Sequence, residues 1–164
     1  KNGKGKMIYA DRRAYEGDWK NDMRDGYGKC IAVDGREYEG EWKDDKKNGK
    51  GKFKWPTGDI YEGEWKDNKL FGMGKFIYSI GSTYNGQWKN DMKHGWGSFI
   101  WPDGCKYEGD FKDDKINGWG IYEYTNGDIY VGYFLNGKRD GKGVMTFQDG
   151  TTINTEWKDG KKIN

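Results

Sequence analysis

The sequence predicts an all-β protein, an elongated single-layer antiparallel β-sheet solenoid built from tandem 23-residue β-hairpin repeats. One tyrosine recurs every 23 residues without interruption, at Tyr15, Tyr38, Tyr61, Tyr84, Tyr107 and Tyr130. Around it, Tyr-Glu-Gly-Glu-Trp-Lys alternates apolar and charged residues, the period of a half-buried strand. A Gly-x-Gly opens a second alternating segment in every copy. Repeats of this kind contact mainly their neighbours, which favours a linear array.

The copy at residues 38–60 defines the predicted hairpin. We expect a four-residue polar loop, residues 45–48, between its strands, and a three-residue Asp-Gly or Asn-Gly type loop before the next copy. Pairing outward from the first loop sets Trp42 opposite Gly51, Gly40 opposite Phe53 and Tyr38 opposite Trp55. Each strand glycine then faces a ring that covers its backbone. The predicted repeat core is Tyr38, Gly40, Trp42, Gly49, Gly51, Phe53 and Trp55.

The period also sets the repeat boundaries. Residues 1–14 are predicted to be the second half of an upstream repeat, and full repeats follow at 15–37, 38–60, 61–83, 84–106, 107–129 and 130–152. Residues 153–164 keep Trp157 but lose the tyrosine and the glycine, so we expect a degenerate capping half-repeat there. About fourteen strands at about 4.8 Å each predict a curved rod roughly 65 Å long.

Charge and composition limit the classes of function that the chain can have. Lys and Arg total 29 against 27 Asp and Glu, and because the two signs interleave, no strongly positive face for nucleic acid is predicted. Aromatic residues make up 17% of the chain, so the rings themselves must supply the core. Cys30 and Cys105 lie in different repeats, too far apart to bridge, and unpaired thiols favour a reducing, cytoplasmic compartment. No apolar run approaches the ~20 residues of a membrane span.

Catalytic, metal and cofactor sites are not predicted. His94, the single histidine, is expected at a loop tip with no nucleophile at a fixed neighbouring position. The acidic pair Asp44 and Asp45 lacks the spacing of a calcium loop, so we interpret it as a turn former. The Gly-x-Gly precedes a strand, not a helix, and is assigned to packing instead of phosphate binding. We therefore expect a protein that is not an enzyme and uses no cofactor.

The repeat Tyr-Glu-Gly-Glu-Trp-Lys, followed by Gly-x-Gly as in residues 38–51 and 107–120, resembles the MORN repeat (membrane occupation and recognition nexus). The resemblance covers essentially the whole chain. Where the family often has Gly at the eighth position, this chain has Asp22, Asp45, Asn68, Asp91 and Asp114. The resemblance implies a non-enzymatic scaffold near a membrane or the cytoskeleton. The chain also resembles protist proteins made only of MORN repeats, and this resemblance implies a location at the cytoskeleton or cell cortex and a role in cell division.

Two outward-facing sets of residues are candidate interaction sites. The thirteenth repeat position points away from the aromatic rows, yet it holds a partner stripe of bulky side chains: Met73, Trp96 and Trp119. Exposed rings in line indicate a protein contact. The alternative is that stems of neighbouring lysines cover them.

The second set lies near the C-terminal end, where earlier repeats carry Glu and Lys. It is a patch of five apolar residues, Ile121, Val131, Tyr133, Leu135 and Val144. An open array must protect its last strand, and mutual burial of this patch predicts an antiparallel two-fold homodimer. Other cytoskeletal or cortical proteins are expected partners. The alternatives are direct binding of phospholipid headgroups, which the balanced charge makes weak, and binding of carbohydrate or choline-type ligands on the aromatic rows.

Overall fold

The computed structural model describes all residues from 1 to 164 and contains only β-structure, as predicted. Fifteen antiparallel strands form one open sheet in which the strands follow one another in sequence order. Their bounds are β1 Gly3–Ile8, β2 Ala14–Lys20, β3 Met23–Ile31, β4 Glu37–Lys43, β5 Lys46–Lys54, β6 Ile60–Lys66, β7 Lys69–Ile77, β8 Thr83–Lys89, β9 Met92–Ile100, β10 Lys106–Lys112, β11 Lys115–Glu123, β12 Ile129–Leu135, β13 Lys138–Thr146, β14 Thr152–Lys158 and β15 Lys161–Lys162.

The chain forms two compact units. The N-terminal unit comprises residues 1–79 and 89–91, and the C-terminal unit comprises residues 80–88 and 92–164. The strand count is one above the predicted fourteen because β15, of two residues, pairs with β14 after Thr152–Lys158. The chain has no helix of the length and apolar character that crossing a bilayer requires.

The turn inside each hairpin is shorter than predicted. Strand β5 begins at Lys46, so only Asp44 and Asp45 join it to β4, and the predicted four-residue loop is wrong. Both residues have positive φ, 46° and 64°. Two successive left-handed residues form a type I′ turn, which matches the twist of the strands and which Asp and Asn tolerate. The sequence shows the Asp residues that favour a turn, but it does not show that the turn has only two residues.

The register changes as a consequence. Tyr38 pairs with Phe53 and Gly40 with Gly51, and a β-bulge beyond Gly40 then brings Trp42 opposite Lys47. The predicted pairs of Trp42 with Gly51, Gly40 with Phe53 and Tyr38 with Trp55 are therefore wrong. The bulge adds two residues to β5 relative to β4, and a sequence pattern of period two does not reveal such a shift.

Paired glycines are covered by a ring from their own hairpin. The Tyr38 side chain lies across the pair, since a Cβ added at Gly51 would lie 2.6 Å from Cε2 of that ring. Glycine is required here because no other residue leaves room for the tyrosine. The Tyr38 hydroxyl donates a 2.8 Å hydrogen bond to the Glu41 carbonyl.

The loop between repeats has the predicted length of three residues. In the second repeat it consists of residues 56–58, and the Trp55 N–H donates to the Asp59 carbonyl at 2.9 Å on either side of it. Gly58 adopts a φ of 93°, the left-handed residue that closes a three-residue hairpin loop.

The core is a layer of rings on one face of the sheet. Tyr38 packs edge-on against Trp42 at 5.0 Å and against Trp65 of the next repeat at 5.3 Å between centroids. Trp42 Nε1 also donates to the carbonyl of Gly28 in the preceding repeat, at 3.0 Å. Of the residues predicted for the core, Tyr38, Gly40, Trp42 and Phe53 are buried, whereas Gly49, Gly51 and Trp55 are half-buried. The rings thus connect each repeat to the next.

Candidate functional site

In the first five repeats the fourth residue, on the outer face opposite the ring layer, has a structural role. A side-chain oxygen of Glu41 accepts a 2.9 Å hydrogen bond from the N–H of Lys50, beside the bulge. The same bond recurs in the other early repeats at 2.9 to 3.1 Å, made by Asp18, Glu64, Gln87 and Asp110. The alternation of apolar and charged residues in the sequence indicated no such role for these polar side chains. Their role was missed because the bulge, which brings the N–H within reach, was not predicted.

The sixth repeat abandons this arrangement. Tyr133 stands at its fourth position, so no carboxylate or amide oxygen is available there for the N–H of Lys142. In the five preceding repeats the core tyrosine hydroxyl donates to the carbonyl of the fourth residue, at 2.8 to 3.1 Å. In the sixth repeat the hydroxyl of Tyr130 is buried without a hydrogen-bond partner. An unsatisfied buried hydroxyl costs about 1–3 kcal/mol, so this repeat is less well satisfied than its neighbours.

What the sixth repeat presents instead is an aromatic surface. Tyr133 pairs directly with Trp119 on the adjacent strand, and 55% of Tyr133 is exposed. Trp119 in turn stacks on Trp96, with centroids 6.2 Å apart and planes at 19°. These three rings form a continuous outward-facing row in the C-terminal unit.

The partner stripe is thus outward-facing, as the sequence indicated, and is 38–52% exposed. Met73 lies in the N-terminal unit, and the two tryptophans lie in the C-terminal unit. Tyr27, in the N-terminal unit, shares their repeat position and is 56% exposed, but sequence reasoning did not include it. The 23-residue period alone was sufficient to find it.

An apolar row runs parallel to the aromatic row. Ile121 pairs with Val131, and Val131 pairs with Val144, so three strands present aliphatic side chains side by side. Four of the five patch residues predicted for the dimer therefore lie together: Ile121, Val131, Tyr133 and Val144. Leu135 is exposed but pairs with Lys138 beside the turn, at the margin of this surface.

Between the two rows is a groove of about 690 Å³. Its walls include Trp119 and Tyr133 on one side and Val131 and Val144 on the other. Backbone forms its floor at Gly132 and Gly143, which carry no side chain. The groove joins the partner stripe and the predicted dimer patch, two sets that the sequence had treated separately. We call this surface the C-terminal groove.

The N-terminal unit has the equivalent groove in a charged form. Its volume is about 610 Å³, and its walls include Glu39, Lys52 and Glu62 in place of the valines. Lys52 and Glu62 approach to 3.8 Å across adjacent strands. Exposed pairs of this kind contribute little to stability. The same backbone therefore presents a more apolar wall in the C-terminal groove, although Lys142 and Glu156 also line that groove, and Tyr27 and Met73 also line the N-terminal groove.

The Asp or Asn at the eighth position links successive hairpin turns. The Asp45 carboxylate accepts a 3.0 Å bond from the Arg24 N–H, while the Asp45 N–H donates to the Arg24 carbonyl, also at 3.0 Å. Asp114 repeats both bonds with Lys93, 21 residues earlier in the chain. The side chain thus supplies a bond that glycine cannot, which explains why this chain departs from Gly at that position.

His94 is not at a loop tip, as the sequence had indicated, but within β9. Its Nδ1 lies 3.6 Å from Oδ1 of Asp113 and makes no hydrogen bond. The loop prediction failed because the turn before it consists of only two residues. Asp44 and Asp45 are the turn residues of the second hairpin.

Comparison with known families agrees with this repeat geometry. The family model described as MORN repeat matches residues 1–12, 15–35, 38–60, 61–83, 84–106, 107–129 and 130–152. The chain belongs to the MORN repeat family. Its MORN repeats coincide with the hairpins described above, and no curated protein matches the chain.

Two solved structures are similar to this MORN-repeat chain. The Drosophila melanogaster SAS-4 (dCPAP) TCP domain, solved in complex with a proline-rich motif of Ana2 (dSTIL), is similar with a TM-score of 0.55 and 13% identity, covering 94% of this chain and 90% of that one. The TCP10 domain of Danio rerio CPAP, solved with a STIL peptide, gives a TM-score of 0.43 at 15% identity, covering 95% and 80%. At these identities the first likeness shows the fold alone.

Proposed function

We propose that this MORN-repeat protein is a non-enzymatic scaffold that binds an extended, proline-rich peptide segment of a partner protein in the C-terminal groove. The observation that carries the proposal is the exchange at Tyr133. There the sixth repeat lacks the side-chain acceptor of the bulge hydrogen bond and presents an exposed ring instead, and in the same repeat the Tyr130 hydroxyl is unsatisfied. When one position of a regular repeat departs from the pattern and lowers stability, a functional site is the typical explanation.

The chemistry of the groove suits a polyproline-type ligand. Such a peptide is already extended and has few backbone donors, and it is bound by packing proline rings on aromatic side chains. Trp119 and Tyr133 offer two flat surfaces, and the valines opposite offer an apolar wall. The fold-related TCP domain was solved with a proline-rich motif, which supports this class of ligand for the fold.

A nuclear magnetic resonance titration with a ten-residue polyproline peptide tests the proposal. We expect the indole N–H signals of Trp96 and Trp119 to shift at millimolar peptide, while the Trp42 signal, from a buried core ring, stays in place. A glycine-serine peptide of equal length is the matched ligand control.

Trp119→Lys is the matched protein control, because the equivalent position of the second repeat is Lys50 and the fold accepts lysine there. This variant should stay folded and lose the response to peptide. The proposal would be wrong if neither exposed indole responds in the parent protein, or if Trp119→Lys responds as the parent does.

Homodimerisation is a second candidate function, favoured by the pairing of Ile121, Val131 and Val144 into a flat apolar row. Burying such a row returns about 25 cal/mol per Å². Light scattering after size exclusion at tens of micromolar would show a dimer that Val131→Glu dissociates. A monomeric parent at that concentration excludes this function without affecting the peptide proposal.

Localisation at the cytoskeleton or cell cortex, and contact with phospholipid headgroups, remain part of the same proposal. The alternating charges of the N-terminal groove provide no cluster of cations to attract an anionic bilayer. We therefore place the protein partner first and expect lipid contact to be weak. Co-flotation with vesicles containing phosphatidylserine at physiological salt tests this, and strong flotation would reverse the order.

A further inference from the structure

A row of cations lies over the ring layer near the turn end of the hairpins. At the tenth repeat position, the Arg24 guanidinium lies 4.0 Å from the centroid of Trp42, and the Lys47 ammonium lies 4.3 Å from that of Trp65. Lys93 continues the pattern in the C-terminal unit. Cations over ring faces are attracted by the ring quadrupole.

These cations differ in their anionic partners. Arg24 forms an ion pair of 2.9 Å with Asp45, and Lys93 lies 3.7 Å from Asp114, in each case the residue 21 positions later. The corresponding partner of Lys47 is Asn68. Its amide oxygen accepts the backbone N–H of Lys47 at 2.9 Å, as the carboxylates do for their own partners, but it brings no charge.

Lys47 is consequently an amine held in a ring cage without a carboxylate. Its Nζ is surrounded by Phe53 and Trp65, each at 4.3 Å, and Tyr38 at 5.5 Å. The residue is half-buried, so part of it remains exposed to solvent. The ring faces attract the ammonium, but burial among them removes water from it and no carboxylate at Asn68 compensates, so the loss of hydration favours the neutral amine.

The other charged groups around Lys47 do not reverse this effect. Burial lowers the pKa of Lys47 to about 8, Asp91 and Cys30 raise it, and Arg24 and Arg36 lower it further. At pH 7.4 a pKa of about 8 leaves roughly 20% of the amine neutral, against roughly 0.1% for a lysine at its ordinary value.

We propose that Lys47 is a covalent modification site, at which the amine accepts an acyl group from a thioester at neutral pH. The Nζ lone pair attacks the thioester carbonyl carbon, the new carbon–nitrogen bond forms, and the carbon–sulfur bond breaks. The thiolate leaves and takes up the proton that the nitrogen releases. The product amide is uncharged, so acylation also removes the ammonium from the cage.

The test measures the acetylation rate of each lysine by peptide mass spectrometry, with S-acetyl-N-acetylcysteamine as the thioester. At pH 7.4 we expect Lys47 of the native protein to react about tenfold faster than exposed Lys50, since a larger neutral fraction outweighs a weaker nucleophile. The rate at Lys47 should level off above pH 8 or so, whereas that of the unfolded chain in guanidinium keeps rising.

Two exchanges provide matched controls that leave the cage intact. Asn68→Asp gives Lys47 the carboxylate that Arg24 and Lys93 have, and should slow its acetylation severalfold. Asp114→Asn removes the carboxylate 3.7 Å from the Lys93 amine and should accelerate acetylation there. Circular dichroism establishes that both variants are folded. The proposal is wrong if Lys47 reacts no faster than Lys50, or if Asn68→Asp leaves its rate unchanged.

Discussion

Replacing Tyr133 with Glu or with Lys separates structural cost from function in the sixth repeat. Both substitutions remove the exposed ring and both introduce a charged residue of similar, low strand propensity. Only Glu can accept the N–H of Lys142, as Glu41 accepts that of Lys50 at 2.9 Å. A hydrogen bond to a charged group contributes about 1.5–3 kcal/mol, and solvent exposure at this site lowers the expected gain to about 1 kcal/mol.

We therefore expect Tyr133→Glu to unfold about 2–4 °C above Tyr133→Lys, measured by calorimetry at the same pH and salt. As a positive control, Glu64→Lys in the third repeat should lower the unfolding temperature by a similar amount, because it breaks the 3.1 Å bond to Met73. Equal stability of the two Tyr133 variants, with Glu64→Lys destabilised, would refute the reasoning that Tyr133 replaces a structural acceptor.

Three further predictions concern the array itself. Gly51→Ala should lower the free energy of unfolding by about 3 kcal/mol or more, measured by chemical denaturation, because the new Cβ would lie 2.6 Å from the Tyr38 ring. Gly150→Ala should lower it by only about 1 kcal/mol, because Gly150 has open space around it and only its φ of 85° is unfavourable for alanine. Asp114→Ala should cost about 1–2 kcal/mol by the same assay, and Asp114→Asn much less, because the amide keeps the bond to the preceding turn. The difference in unfolding temperature between the parent and Lys47→Met should rise between about pH 8 and 10. The reason is that Lys47 releases its proton near pKa 8 in the folded chain but keeps it up to a pKa of 10.5 in the unfolded chain. A difference that does not change with pH would contradict this prediction.

The sequence was sufficient for the parts of the fold that depend on period and alternation. The 23-residue tyrosine spacing predicts hairpins in sequence order. The Asp-Gly and Asn-Gly signals of other repeats predict a three-residue loop, and the period extends that loop to the second repeat, where Gly58 closes it. The predicted pairing within the hairpin was wrong because the two-residue turn and the bulge both change the register between the two strands. Both shifts preserve the alternation of Tyr38, Gly40 and Trp42, so the pattern alone could not distinguish the registers.

The sequence predicted most residues of the candidate site, but it did not predict that they line one groove. Departures from the repeat consensus identified Trp119 and Val131 directly, because each replaces a charged residue. That these belong to one groove required the register that sets Trp119 beside Tyr133. The unsatisfied hydroxyl of Tyr130 was not predicted either. Whether a hydroxyl lies within hydrogen-bond distance of a carbonyl depends on ångström-scale geometry that residue types do not specify.

The affinity for the polyproline peptide, measured by calorimetric titration, tests the central claim that the C-terminal groove is the binding surface. The comparison is between the parent, Tyr133→Glu, and Tyr27→Lys, which removes an equally exposed ring from the N-terminal unit. The proposed function predicts a dissociation constant at least about tenfold weaker for Tyr133→Glu, the loss of about 1.4 kcal/mol of contact, and an unchanged value for Tyr27→Lys. Equal affinity of all three proteins would contradict it.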